Sequence, residues 1–337
     1  MYTVASMIIN HKQQLSPIYW GYSASVYLAT SKLASLYFKS VKSKSNKNKL
    51  WWHYYLLNYA YTYKKTDLGN NTPISVEWVN KYRFPFYNAF FHTSCMSHIL
   101  YEITLGHKPV INDKFHVWDS FFKQPFENER IDDIPTSTEK LCLYRPWFIP
   151  YNKRVTNIWK KLFKDFCSFN DEANAYIVDE CERVLDKDAK TLGVLCRGTD
   201  YITTQPKHHP KQPDVEEVIA LCGKWIDKYH YEAIYLATED ERIFKQFDHA
   251  FPGMVLANKR TYYNQAMKEG SLKYITHVHF DRENDDYYKG LEYLSSLYIL
   301  TQCQGLIAGN CGGLRIALFM KQDNYLNFKV FDKGLYS

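Results

Sequence analysis

The chain has 337 residues, a formal net charge of +6, 46% hydrophobic and 23% charged residues, a globular composition long enough for two cores. The modest basic excess suits an anionic partner such as a nucleoside diphosphate or an acidic membrane face, and nucleic acid is set aside because no nucleic-acid motif accompanies the charge. The eight cysteines are scattered and form no Cys-x-x-Cys pair, which sets metal binding aside and reads as reduced thiols of a cytoplasmic protein. No basic leader opens the chain and no run of about 18 apolar residues occurs in it. Aromatic residues reach 17%, with 29 tyrosines; such rings serve sugar stacking and ordinary core packing alike.

Residues 1–72 read as a helical, aromatic and basic extension. Tyr19, Tyr22, Val26, Ala29, Leu33 and Leu36 recur at helical spacing, and five lysines between positions 39 and 49 precede an aromatic belt from Trp51 to Leu57. Over 18–57 this pattern fits peripheral contact with an anionic membrane face, or a helical pair joined by a solvated lysine loop. The turn-rich stretch Asp67–Thr72 marks the boundary.

Residues 73–170 are expected to form a first α/β lobe. Alternation predicts a strand over 75–82, then a loop at Phe84–Asn88, a helix over 92–105 ended by Gly106, and a strand over 108–112. That order is a βαβ unit. Trp118 to Pro150, with prolines at 125, 135, 146 and 150 and no periodicity, is expected to carry long loops.

Residues 171–337 read as a Rossmann-like lobe. Helices are predicted over 171–185, 214–229, 239–247, 287–303 and 312–319, and strands over 191–196, 233–237, 254–256 and 305–308. This is a doubly wound pattern, in which ligands bind beyond the carboxyl ends of the strands.

Three such ends carry chemistry. After 191–196 stand Arg197, Gly198 and Asp200. An arginine here can fork onto a diphosphate, Gly198 permits close approach, and Asp200 orients the arginine or touches ligand. The same residues would equally serve as a structural pair closing a turn. After 233–237 stand Thr238, Glu239, Asp240 and Glu241. Thr238 with Glu241 matches a capping box, leaving Glu239 and Asp240 at the cleft mouth. After 305–308, Asn310, Cys311, Gly312 and Gly313 run into a helix with Arg315 in its first turn, a site for an anion at a helix N-terminus. His209, in the proline-flanked segment 205–210, is a candidate base on a sugar hydroxyl.

The order of these motifs resembles the fucosyltransferase superfamily, which includes α1,6-, α1,2- and nodulation fucosyltransferases and protein O-fucosyltransferases. The run Leu192 to Asp200 is similar to its His-x-Arg-Arg-x-Asp segment, and Tyr235 to Asp240 to its strand ending in Ala-Thr-Asp-Asp. Residues 297–317 are similar to its third motif and Phe84 to Asn112 to its N-terminal loop and helix. Three positions depart, with Leu195 in place of the motif histidine, Gly198 in place of the second arginine, and Gln205 where some members place a carboxylate shortly after the Asp.

The resemblance implies a GT-B fold, two Rossmann-like lobes facing across a cleft, and inverting, metal-independent transfer of a sugar. The donor would be a nucleotide-diphosphate sugar, with GDP-fucose the family's example, and the acceptor an oligosaccharide or glycan of the kind made for bacterial surfaces. No cofactor is implied beyond this donor substrate. Arg197, Gly198, Thr238, Glu239, Asp240 and residues 310–313 with Arg315 would hold the donor, while Phe86, Tyr87 and Asn88 would lie on the acceptor side. Arg197, Asp200 and His209 are the catalytic candidates. Three rivals are weighed. A metal-dependent transferase would need Asp186-Lys187-Asp188 at a strand end, but that pair precedes a strand. A dinucleotide oxidoreductase lacks the early glycine fingerprint. A non-catalytic glycan- or membrane-binding protein would leave Arg197, Asp200 and Arg315 unexplained.

Overall fold

The computed structural model describes residues 73–76, 85–104, 107–126, 136–137 and 153–337. The extension through residue 72, and with it the membrane contact expected for 18–57, lies outside the described residues. Two parallel sheets organise the rest, with helices packed between and around them, and the architecture is α/β as expected.

The first sheet comprises β1 (Pro73–Val76), β2 (Lys108–Val110) and β3 (Thr136–Ser137), in the order β2-β1-β3 and parallel throughout. Helix α1 (Ala89–Thr104) crosses from β1 to β2 and is buried on nearly every side. Two of its interior hydroxyls are bonded back into the helix: those of Thr93 and Ser97 donate to the carbonyls of Ala89 and Thr93, both at 2.7 Å. The stretch expected to hold only loops opens with a short helix, α2 (Val117–Phe121). Its cause is Asp113, whose carboxylate accepts from the N–H groups of Phe115, Val117 and Trp118 at 2.9–3.1 Å and so nucleates the turn. Helix α3 (Lys153–Phe166), which sequence reading left unassigned, buries Val155, Trp159, Leu162, Phe163 and Phe166 along one face.

Helix α4 (Asp171–Val184) leads into the second sheet, capped by Asn170 through Ala173 N–H at 2.8 Å. The strands are β4 (Thr191–Leu195), β5 (Ala233–Ala237), β6 (Val255–Leu256), β7 (Gly305–Gly309) and β8 (Asn327–Phe331). They are parallel and ordered β6-β5-β4-β7-β8. The chain builds outward from β4 to β6 and then crosses to β7, so the topological switch lies between β4 and β7. The joining helices are α5 (Thr199–Thr203), α6 (Val215–Tyr229), α7 (Glu241–Ala250), α8 (Tyr263–Glu269), α9 (Asp285–Gln302) and α10 (Gly312–Met320).

Alternation along the strands divides the core. Leu192, Val194, Ile234, Leu236 and Ile307 pack beneath α6 and α7, whereas Leu195, Tyr235, Ala237, Leu306 and Ala308 face the opposite cluster. That second cluster runs on without a break through α9 and α10 into α1, α2 and α3. Trp159 of α3 stacks on Phe319 of α10 at 5.4 Å, and Gly290 of α9 lies so close to Phe121 of α2 that a Cβ would fall 2.2 Å from the ring. The two halves are therefore welded by a dry interface on one side. No helix among the described residues is long and apolar enough to cross a membrane. The described cysteines are free.

Candidate functional site

At the carboxyl edge of the second sheet, where it meets the N-terminus of α1, lies a cavity of about 390 Å³. It contains much of what the sequence singled out: Phe86, Tyr87 and Asn88 from the first half, and Arg197, Asp200, His209, Glu239, Cys311, Gly312, Gly313 and Arg315 from the second.

Arg197 leaves the end of β4 and is held from three directions. Its Nη2 donates to Asp200 Oδ1 at 3.2 Å, its Nε lies 3.5 Å from Glu239 Oε2, and its guanidinium sits over the Tyr201 ring at 4.9 Å. Burial alone would lower its pKa; the Glu239 and Asp200 carboxylates reverse that and keep it fully charged. Burial likewise pushes the Tyr201 hydroxyl up to about 12, so it stands as a neutral donor.

Glu239, beyond the end of neighbouring strand β5, accepts from Gly198 N–H and Thr199 Oγ1, both at 2.8 Å. These bonds hold Thr199, a β-branched residue, at φ 43°, a conformation it adopts only where its surroundings over-determine it. Gly198 serves close approach, since a Cβ there would stand 2.7 Å from the Asp240 carboxylate.

Helix α10 aims its N-terminus into the same space. Cys311 occupies the cap position and makes no side-chain capping bond, so the first-turn N–H groups lack the oxygen acceptor usual at a helix start. Burial raises the Cys311 thiol pKa, with Arg197 pulling the other way. A Cβ on Gly312 would come 2.8 Å from Ala89 Cβ, which places the start of α1 directly against the start of α10. Asn88 caps α1, accepting from Phe91 N–H at 3.0 Å.

The segment carrying His209 is clasped by the C-terminal residues: His208 N–H donates to Tyr336 O at 3.0 Å and Tyr336 N–H to His209 O at 2.9 Å. This sets the His209 ring edge-on to Tyr201, 5.7 Å between centroids.

Four of the anticipated residues do not line the cavity. Gly198 is buried behind Glu239 as described. Asn310 is buried, and its carbonyl accepts from Gln212 Nε2 at 2.9 Å. Thr238 and Glu241 form no capping box. The cap of α7 is Asp240, which accepts from Arg242 N–H at 3.0 Å, while Glu241 N–H is taken by Asn264. Asp240, expected at the cleft mouth, is turned inward onto Thr199 N–H and ion-paired to Arg242 at 2.5 Å. It is a scaffold carboxylate.

Sequence reading missed the far wall. Arg260, Tyr263, Ile275 and Thr276 come from the excursion between β6 and α9, and Lys289, Glu292 and Tyr293 from one face of α9. Only the α9 trio had a signal, a polar pair beside tyrosine inside an apolar helix. Glu292 fastens the excursion at both ends, accepting from Thr261 N–H at 3.3 Å and from Arg282 Nη1. Lys289 is fully engaged, with Asp286 at 2.8 Å, Asp285 at 3.1 Å and the Phe86 ring at 4.7 Å. His279, Asp285 and Asp286 bring possible metal-ligand atoms within 4.8 Å of one another, but both carboxylates already belong to Lys289, and Asp285 also to Arg282.

The site therefore sets four cations, Arg197, Arg260, Lys289 and Arg315, beside a helix N-terminus and an aromatic wall. It can bind a compact anion attached to a flat or ring-shaped group.

No protein-family model and no curated protein matches the chain. Among solved structures it is similar to NodZ α1,6-fucosyltransferase soaked with GDP-fucose, with 16% identity, 74% of this chain and 93% of that one covered, and a TM-score of 0.41. It is also similar to NodZ from Bradyrhizobium, with 13% identity, the same coverage and a TM-score of 0.38. POFUT1 in complex with GDP-fucose is more distant: 10% identity, 53% of this chain and 50% of that one covered, TM-score 0.32. The chain thus spans about half the length of the POFUT1 structures. At these values the likeness is one of chain course, and the meaning of the cavity rests on its own residues.

Proposed function

We propose that the protein is a glycosyltransferase that moves a sugar from a nucleotide-diphosphate donor to a hydroxyl of a glycan. The observation that carries this reading is the convergence, in one cavity, of Arg197, Arg315 and the uncapped start of α10 at Gly312–Gly313. The donor diphosphate lies on those N–H groups and beside Arg197. During transfer the anomeric carbon–oxygen bond to phosphate breaks, negative charge grows on the diphosphate, and the fixed cations stabilise it without reorganising. The new bond forms from the acceptor oxygen on the opposite face, which inverts the anomeric centre. The departing hydroxyl proton needs a base. Glu239 already accepts from two donors and faces Arg197, and Asp200 faces the same arginine, so we assign the base to His209.

In this reading residues 171–337 form the donor lobe, and residues 73–170 supply the acceptor wall through Phe86, Tyr87 and Asn88. GDP-fucose, held by the NodZ and POFUT1 structures, is the first donor to test, and the positive end of the site takes the place of a divalent cation. The test is a thermal-shift screen against GDP, UDP, CMP, NAD and GDP-fucose, with and without EDTA. The reading expects a shift with one nucleoside diphosphate and its sugar, unchanged by EDTA. A shift with NAD alone, or with nothing in the panel, refutes it.

A further inference from the structure

The cations of the cavity differ in how they are satisfied. Arg197 faces two carboxylates and Lys289 faces two others. Arg260 alone among Arg197, Lys289 and itself has no carboxylate within ion-pair distance and no hydrogen bond from its side chain; its Nε is shielded from solvent and unmet. A shielded donor without an acceptor costs free energy in the empty site and regains it when an acceptor arrives.

The backbone around this side chain is firmly held. Asn258 is buried, its amide donating to Glu292 O at 2.9 Å and Ser295 Oγ at 3.1 Å, and its Oδ1 accepting from Tyr235. Lys259 N–H donates to Glu180, Thr261 N–H to Glu292, and Tyr263 N–H to Glu239 O at 3.0 Å. Four successive anchors thus surround one unpartnered guanidinium at the cavity wall. These bonds hold residues 258–263 without a ligand present, which lowers the entropy left to lose on binding.

Charge points the same way. The Arg197 charge is opposed locally by Asp200 and Glu239, so a diphosphate meets little net positive charge there. Arg315 and the start of α10 supply part of what a doubly charged anion needs. Arg260 supplies the rest.

We infer that Arg260 is a second diphosphate-binding arginine of the donor site, supplied by the β6–α9 excursion to the same cavity that Arg197 lines. This rests on the nucleotide-sugar reading above. The inference makes Arg260 a determinant of affinity for the phosphates and not for the nucleoside.

The experiment is calorimetric titration of the full chain and of Arg260→Ala and Arg260→Lys with GDP, UDP, guanosine and inorganic pyrophosphate. Pyrophosphate carries the relevant chemistry without a base. The inference expects the Kd for pyrophosphate and for the preferred diphosphate to rise roughly ten- to a hundredfold in Arg260→Ala. Arg260→Lys should fall between, because lysine keeps the charge and loses the fork. Guanosine binding and the melting temperature of the empty protein should not fall. Diphosphate affinity within twofold of the parent, with the KM for an acceptor raised instead, would overturn the inference and leave the donor reading standing. A parent chain that binds no diphosphate and no pyrophosphate would take both down.

Discussion

Two parts of the cavity wall are built on opposite plans. The loops after β4 and β5 are tied to each other: Arg197, Gly198 and Thr199 on one side meet Glu239 and Asp240 on the other through four contacts between 2.8 and 3.5 Å. There the charges oppose one another and the backbone is strained at Thr199. The excursion between β6 and α9 instead spends its charges on anchoring, through Glu292, Arg282 and Asp285, and leaves Arg260 unpaired. The first region is a preorganised frame that carries its own counterions. The second is a brace that holds out a bare cation. The difference teaches that an arginine at a strand end is not by itself the ligand's main partner; what matters is which carboxylates already claim it.

Arg197→Ala should have the largest effect. It removes the fork and leaves Asp200 and Glu239 without their shared cation, at a cost of about 3–5 kcal/mol of stability. Chemical denaturation and diphosphate titration should both register it, and an unchanged unfolding midpoint would mean that the frame does not depend on its own ion pairs.

Glu292→Gln breaks the brace. Loss of the charge-assisted bond to Arg282 should cost roughly 1.5–3 kcal/mol and weaken diphosphate binding by loosening Arg260, while sparing the Arg197 frame. Hydrogen exchange should rise at Thr261 and around residue 282 and stay unchanged at Gly198.

Gly198→Ala sharpens the comparison from the frame's side. The new Cβ would press on Asp240 at 2.7 Å and on Ile243 Cδ1 at 2.9 Å, which should cost about 1–3 kcal/mol and lower donor affinity with little effect on the brace.

Acid should test neither region first. His92 of α1 is buried among aromatic rings with both ring nitrogens unpartnered, and burial pulls its pKa from 6.5 to about 3; His98 falls to about 4 for the same reason. Their folded-state values lie below the unfolded ones, so the unfolded chain takes up protons first. Their stabilising contribution is full above pH 6.5 and drains away as pH falls toward 4 and then 3, by up to about 1.4 kcal/mol per pH unit for each group. The carboxylates of the two regions act later. Asp240 and Asp285 are held below their ordinary 3.8 by bonds that outweigh burial, so what they add is lost only beneath that value. A stability-versus-pH profile of His92→Gln should be flatter between pH 6.5 and 4 than that of the parent.

Arg242→Ala should have the smallest effect. Its guanidinium is 65% exposed, so solvent screens its fork onto the buried Asp240, and that carboxylate keeps its bonds from Thr199 N–H and residue 242 N–H; the loss should be about 1 kcal/mol.

The legibility of the sequence follows the same division. Strands β4, β5 and β7 are central, buried on both faces and written as unbroken apolar runs, so their boundaries and the loops after them could be read directly. Strand β8 escaped because it lies at the sheet edge and buries only Val330 and Phe331 of its five residues. The capping box misled because Asp240, nearer the helix, outcompetes Thr238 for the cap. Arg260 was invisible. Its role depends on having no partner, and its neighbours Lys259 and Tyr262 give no periodic cue, since side chains along the excursion point where tertiary anchors send them. The α1 wall announced its aromatics, but nothing local indicated that its start would meet the start of α10.

The most direct test of the central claim is a crystal structure of the full chain soaked with GDP. The diphosphate should lie over the N–H groups of Gly312 and Gly313, within hydrogen-bond reach of Arg197. Nucleotide density elsewhere on the molecule, or an unchanged cavity at saturating GDP, would contradict it.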